Sequence, residues 1–107
     1  MAKLMILEPA QRELEEIALL HLRLVGPNAA QGITDLILDT LARLEKYPLS
    51  GHTLHDRELQ RSGYRYVIAG KYICIYRPVG DAVFVYHIAH GASNYPTTFK
   101  RLLRQEP

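Results

Sequence analysis

The chain has 107 residues, of which 48% are hydrophobic and 22% charged, and its formal net charge is +2. These values are typical of one globular domain, and they exclude a chain long enough for two. The single cysteine, Cys74, excludes an internal disulfide bond and a zinc site built from several cysteines. No run reaches the roughly 18 apolar residues of a membrane span. Residues 1–9 (MAKLMILEP) lack the apolar stretch of a signal peptide, so we expect a cytoplasmic protein with no membrane partner.

The first half of the chain has the pattern of a strand followed by two helices. Residues 4–7 are apolar and predict a short strand, after which Glu8-Pro9 suits a first helical turn. Apolar residues at helical spacing continue to Val25, and Gly26-Pro27-Asn28 predicts the end of this helix and an asparagine N-cap for the next. The second helix should stop at Tyr47-Pro48. Because the connection between them is short, the two helices should form an antiparallel hairpin.

The second half has the pattern of a loop, three antiparallel strands and a terminal helix. Residues 49–60 have the composition of a loop, and the strands 64–68, 71–77 and 82–89 are separated by tight turns. The middle strand is apolar on both faces, so both should be covered. We expect the helical hairpin on one face, and on the other a partner or the tail 95–104, which is predicted to be a short basic helix. The side chains of Tyr72, Cys74 and Tyr76 should share one face, and those of Ile73 and Ile75 the other.

These elements predict a single α+β domain over residues 1–107. An N-terminal strand and an antiparallel helical hairpin would pack on an antiparallel sheet, made of the three-stranded meander and the N-terminal strand, and a short C-terminal helix would follow. Charge is uneven, since residues 1–60 carry nine acidic and six basic side chains and residues 61–107 carry two acidic and seven basic ones. The basic half would suit an acidic partner.

Three local patterns, taken in order, carry a resemblance to a known family. They are Leu7-Glu8-Pro9-Ala10 at the entry to the first helix, Gly63-Tyr64-Arg65 followed by residues 70–77 (GKYICIYR), and Gly80-Asp81 followed by residues 90–95 (HGASNY). In this order and spacing the chain resembles the RelE/ParE superfamily of toxins from type II toxin–antitoxin systems. The Gly-Lys-Tyr turn and the His-Gly exit make it most similar to the ParE branch. The resemblance covers nearly the whole chain.

The resemblance implies a toxin that binds and poisons DNA gyrase, is neutralised by a cognate antitoxin protein and uses no cofactor. RelE-like members instead cut messenger RNA on the ribosome, with basic side chains on the central strand and after the last one. Here Ile73 stands at the position of the strand arginine, and Ala92 and Ser93 stand at the later basic positions. Their side chains cannot stabilise the charge that develops on a cleaved phosphate. We therefore expect a gyrase-binding protein and no enzyme; an mRNA endoribonuclease, or a degenerate toxin that binds only its antitoxin, is the alternative.

The candidate target-binding residues are cations near the strand ends. They are Arg65, Lys71, Arg77 and His90. If the protein is a nuclease, its catalytic residues would be Arg65, His90 and Tyr95. Structural roles compete with each assignment: Arg65 would pair with Asp81 or Glu58, the imidazole of His90 would bond to the start of the tail, and Tyr95 would dock the tail.

The remaining histidines are weaker candidates. His87 and His90 are an odd number of residues apart, so they should face opposite sides of the sheet and not act as a pair. We expect His87 to be a packed sheet histidine with one satisfied nitrogen. A loop cluster resembles a metal site only loosely, and we expect no metal there. It consists of His52, His55, Asp56 and Glu58. Cys74 lies in an apolar strand and should be a buried, unreactive thiol.

Four leucines fall partly off the main apolar stripes of the two helices and are candidates for antitoxin contact. They are Leu19, Leu20, Leu22 and Leu38. A broader core-facing stripe would account for them equally well. The family resemblance implies an antitoxin segment that is disordered when free and folds as it binds.

Overall fold

The computed structural model describes residues 1–105, so residues 106 and 107 of the expected domain lie outside the described part. The elements are β1 (Lys3–Ile6), α1 (Glu8–Leu24), α2 (Pro27–Ala42) with a 3-10 turn (Arg43–Glu45), β2 (His52–Thr53), α3 (Arg57–Arg61), β3 (Arg65–Ala69), β4 (Tyr72–Val79), β5 (Ala82–His90) and α4 (Tyr95–Gln105). The predicted α+β class is confirmed, with its helical hairpin, meander and terminal helix. Within residues 1–105, no helix combines the length and hydrophobicity that a bilayer crossing requires.

The strands form one sheet in the order β1-β5-β4-β3-β2. β3, β4 and β5 are an antiparallel meander, whereas β1 runs parallel to β5, so the sheet is mixed. Both hairpins have two-residue turns that begin with glycine, Gly70 at φ 62° and Gly80 at φ 59°. A positive φ at the first turn position matches the right-handed twist of the flanking strands, which is why glycine stands there.

Three local predictions were wrong, and each has a physical reason. Residues 49–60 are not all loop, because β2 pairs with β3 and the carboxylate of Asp56 caps α3 by accepting a hydrogen bond from the Leu59 N–H. Asn28 does not cap α2, because Pro27 already occupies the first helical turn and Gly26 is the N-cap. Pro78 lies in β4 and not in a turn. β3 begins at Arg65, opposite Tyr76, so Pro78 has a strand partner only on the β5 side. On the other side β4 is an edge, where a missing N–H is tolerated.

Each face of the sheet has its own apolar core. On the first face α1 and α2 contact alternate residues of β4 and β5, and the core residues include Ile17, Ile37, Leu41, Tyr72, Cys74, Tyr76, Val83, Val85 and Ile88. On the second face α3 and α4 cover Ile73 and Ile75, and Phe99 of α4 is buried among tyrosines. The predicted alternation along β4 is therefore confirmed, and the chain's own tail covers the second face.

Candidate functional site

The four cations predicted to bind a target lie at two ends of the sheet. Arg65 is opposite Tyr76 and so lies near Arg77, whereas Lys71 lies in the turn before β4, at the opposite end of that strand and beside His90. At about 3.3 Å per strand residue, Lys71 and Arg77 are about 20 Å apart. The fold does not bring these residues into one cluster.

Arg65 is occupied by backbone carbonyls. Its Nη1 donates to the carbonyl oxygens of Gly51 at 3.1 Å and Leu49 at 3.3 Å. The expected ion pair with Asp81 or Glu58 is therefore wrong. Asp81 lies in the β4–β5 turn, and the carboxylate of Glu58 contacts Lys100 instead, at 3.2 Å.

Arg77 is enclosed by aromatic rings. Its guanidinium carbon lies 4.9 Å from the ring centroid of Tyr64 and 5.6 Å from that of Tyr86, and its Nη2 donates to the Tyr86 hydroxyl at 3.0 Å. Guanidinium groups stack well on tyrosine, so this cation stabilises the second core.

Lys71 and His90 are exposed neighbours at one end of the sheet. The Gly91 N–H donates to the Lys71 carbonyl oxygen at 2.8 Å, and this bond fixes the exit of β5 beside the β3–β4 turn. Nδ1 of His90 accepts from the Ala92 N–H at 3.1 Å, which leaves Nε2 as the protonated nitrogen of a neutral ring. The imidazole of His90 therefore bonds to the turn that follows β5 and not, as expected, to the start of the tail at Tyr95.

The residues expected in a nuclease site are not adjacent. Arg65 and His90 lie on β3 and β5, which flank β4, and they are opposite Tyr76 and Tyr72 respectively. This register separates them by about 13 Å along the strands and about 10 Å across them. Tyr95 is half-buried at the start of α4, and burial, the largest cause, together with nearby Tyr66 raises the pKa of its hydroxyl.

A β-bulge shapes the end of β5. Ile75 is opposite His87 but Tyr76 is opposite Val85, so Tyr86 is an extra residue. Tyr86 and His87 consequently both contact Phe99 on the second face. His90 contacts Tyr72 on the first face, so the prediction that His87 and His90 face opposite sides is confirmed.

His87 is buried beside an unexpected carboxylate. Its Nδ1 lies 2.5 Å from Oε2 of Glu13 on α1, a contact that is short but not aligned as a hydrogen bond. Its Nε2 has no hydrogen-bond partner among residues 1–105. The expectation of one satisfied nitrogen is therefore wrong: Glu13 lies beside Nδ1, but neither ring nitrogen makes a hydrogen bond within residues 1–105. No pattern in the sequence would have paired Glu13 with His87.

The comparisons with known proteins decide the family. The family model described as the ParE toxin of the type II toxin–antitoxin system parDE matches residues 4–95. This chain belongs to the ParE toxin family. A solved chain titled "Chromosomal ParDE TA system from P. aeruginosa" is similar in fold, with a TM-score of 0.71 and 18% identity over 84% of this chain and 96% of that one. No curated protein matches at a significant level.

The four leucines that the sequence suggested for antitoxin contact are on the surface of this ParE-family fold. Leu19, Leu20 and Leu22 on α1 and Leu38 on α2 are each about two-fifths to half exposed. A broader core-facing stripe is therefore not what they form. Leu24 and Val25, at the end of α1, are about three-quarters exposed and extend this surface.

The remaining candidates of this ParE-family chain have structural environments. Asp56 caps α3 and binds Lys100 at 2.6 Å, while the ring of His52 packs against Tyr66. In the described part of the chain no three potential ligands are arranged around a metal position. Cys74 is buried, and burial followed by the nearby Glu13 carboxylate raises the pKa of its thiol to about 12. Such a thiol should not react at neutral pH.

Proposed function

We propose that this ParE-family toxin inhibits growth by binding DNA gyrase and that a cognate antitoxin neutralises it. The observation that carries the proposal is the family match over residues 4–95. The positions of the cations support it, because the roughly 13 Å and 10 Å offsets between Arg65 and His90 leave no shared site for RNA cleavage.

The exposed pair Lys71 and His90 is the part of the predicted target-binding set best suited to a large partner. Both side chains are exposed at one end of the sheet, whereas Arg65 and Arg77 are held by carbonyl oxygens and aromatic rings. A positive charge at the rim of an interface mainly speeds association, so its reversal should weaken binding without unfolding the protein.

Purified gyrase provides the test of the target. We expect the wild-type protein to inhibit supercoiling of relaxed plasmid DNA and Lys71→Glu to require several-fold more protein for the same effect. Lys3→Glu is the matched control, since Lys3 is exposed but pairs in register with Ala82 at the opposite end of the sheet. Unimpaired gyrase together with new transcript ends in translated messages would favour the nuclease alternative. Neither effect, with antitoxin binding retained, would indicate a degenerate toxin.

The exposed leucines support antitoxin binding. A monomeric globular protein seldom leaves a row of leucines on one helix in water, and such surfaces usually mark a protein interface. Leu19 and Leu22 are three residues apart and so are neighbours on α1, pointing away from buried Ile17. An amphipathic segment of the antitoxin would cover them as it folds.

A charge placed on this surface tests the antitoxin interface. We expect Leu22→Asp to weaken the complex with the cognate antitoxin at least about tenfold, or about 1.4 kcal/mol, because a carboxylate would be buried there. Val79→Asp is the control, since Val79 is similarly exposed at the far end of β4. Isothermal titration measures both. Equal affinities for the two variants would show that the antitoxin binds elsewhere.

A further inference from the structure

A pocket of about 450 Å³ lies where β5 extends beyond the end of β1. β1 pairs with β5 only from Ala82 to Val85, and beyond that point Oε1 of Glu13 accepts the Ile88 N–H at 3.0 Å in place of a strand. The space between α1, the end of β5 and the start of α4 is consequently open. Its lining includes Glu13, Glu16, Ile17, Leu20, His87 and Ala89.

His87 forms the buried end of the pocket. Its side chain is only 3% exposed, and the Glu13 carboxylate lies beside its Nδ1. In the neutral ring with its proton on Nδ1, Nε2 is an acceptor, and Nε2 has no hydrogen-bond partner within residues 1–105. Leaving a buried acceptor unpaired is costly, so an N–H group that reaches Nε2 would bind favourably.

The rest of the pocket selects the kind of donor. Glu16 is exposed and has no ion-pair partner within the described chain, while Arg12 lines the adjoining groove with Glu13 and Glu16. Ile17 and Leu20 give the pocket an aliphatic wall on the α1 side, and Tyr72, His90, Ser93 and Thr98 complete the lining. A donor with an aliphatic stem and a positively charged head satisfies the walls, the free carboxylate and the unpaired nitrogen together.

We infer that this pocket binds a lysine or arginine side chain of the antitoxin. Leu20 belongs both to the pocket lining and to the exposed leucine surface, so a polypeptide that covers those leucines reaches the pocket without a break. The choice of the antitoxin as source rests on the proposed function, whereas the choice of a cation rests on the pocket. The basic half of the chain favours an acidic antitoxin segment, and this pocket requires one basic residue within or beside it.

A small probe tests the chemistry of the pocket without any antitoxin. N-acetyl-lysine methylamide should shift the NMR signals of the His87 ring and the Ile88 amide, and the uncharged N-acetyl-norleucine methylamide should do so much less. Glu16→Gln should lower the affinity for the lysine probe up to about fivefold, as expected for a partly exposed ion pair. Glu15→Gln is the matched control, because Glu15 is exposed on the same helix but does not line the pocket. Equal shifts with both probes, or no effect of Glu16→Gln, would overturn the inference.

The antitoxin complex tests the source of the cation. Glu16→Gln should also weaken antitoxin binding up to about fivefold while Glu15→Gln leaves it unchanged. If the lysine probe binds but Glu16→Gln does not alter the antitoxin affinity, a free amine and not the antitoxin is the ligand. If the wild-type protein binds no antitoxin at all, the proposed function fails while the probe result stands.

Discussion

Among single residues, Tyr76 fixes the segment after α2 through its hydroxyl group. Its buried hydroxyl donates to the Pro48 carbonyl oxygen at 2.8 Å and accepts the Gly51 N–H at 2.9 Å, and burial is the main cause that raises its pKa. A Cβ at Gly51 would lie 2.5 Å from that hydroxyl oxygen, so only glycine fits. The bonds fasten the segment after α2 to the centre of the sheet.

Removal of this hydroxyl should therefore destabilise the protein. We expect Tyr76→Phe to lower the free energy of unfolding by about 1–3 kcal/mol, because the buried Gly51 N–H and the partly buried Pro48 carbonyl lose their partner. Tyr47→Phe is the control. Tyr47 is 56% exposed, and a change there should stay within about 0.5 kcal/mol. Urea unfolding followed by circular dichroism measures both, and equal stabilities would contradict the role assigned to the Tyr76 hydroxyl.

Among the elements, α3 and α4 depend on each other. Lys100 of α4 contacts the carboxylates of Asp56 and Glu58 at 2.6 Å and 3.2 Å, and Asp56 is also the N-cap of α3. Phe99 packs edge-on against the rings of Tyr64 and Tyr86, which also contact each other. One turn of α4 thus combines the apolar and the ionic contacts that hold it on the sheet.

These ion pairs predict a defined dependence on pH. Chiefly the hydrogen bond from Lys100, followed by that from the Leu59 N–H, lowers the pKa of Asp56 below 3.8. A lowered native pKa stabilises the fold above the unfolded value, and this stabilisation is lost as pH falls through the native value. We expect Lys100→Met to lower the thermal midpoint at neutral pH, and the deficit to shrink as the solution is acidified below 3.8.

The matched control for this element is Arg101→Met, which removes an exposed positive charge one residue away. It should show no such pH-dependent deficit. A deficit for Lys100→Met that stays constant into strong acid would mean that packing of the side chain, and not its charge, matters. At the alkaline end the pKa of Lys100 is raised above 10.5, mainly by its bond to Asp56, so the wild-type advantage should persist until pH passes that raised value.

The elements that sequence predicted are those with a clear apolar period. α1, α2 and the three meander strands each repeat long enough for period and turn signals to agree, and α4 was found from its basic, amphipathic composition. β2 and α3 have two and five residues, too few for any period to show. The bulge at Tyr86 was hidden because its neighbours are apolar or aromatic on both sides. Arg65 was misjudged because its partners are backbone carbonyls, which leave no mark in a sequence.

At the scale of the whole molecule, the two cores share one sheet. β4 supplies Cys74 and Tyr76 to the first core and Ile73 and Ile75 to the second. Loss of either core would expose one face of β4, the strand that also carries the other core. The domain should therefore unfold in one cooperative step, as small domains usually do.

A matched pair of substitutions tests this cooperativity. Ile37→Val in the first core and Ile75→Val in the second remove one methylene from fully buried side chains and should each cost about 0.5–1.5 kcal/mol. For each variant, the unfolding midpoint followed by the helix signal in far-ultraviolet circular dichroism and the midpoint followed by the tyrosine signal in the near-ultraviolet should shift by the same amount. If Ile75→Val shifted only the midpoint of the tyrosine signal, the second core and α4 would unfold as a separate unit.

The parallel pairing of β1 with β5 has a consequence for biosynthesis. Residues 3–6 leave the ribosome early, yet their partners, residues 82–85, are made near the end of the chain. Such a distant contact cannot form until the intervening segment has been translated and its closure entropy has been overcome. A nascent or prematurely terminated chain that ends before residue 82 therefore cannot pair β1 with β5, and it lacks the complete sheet of the folded protein.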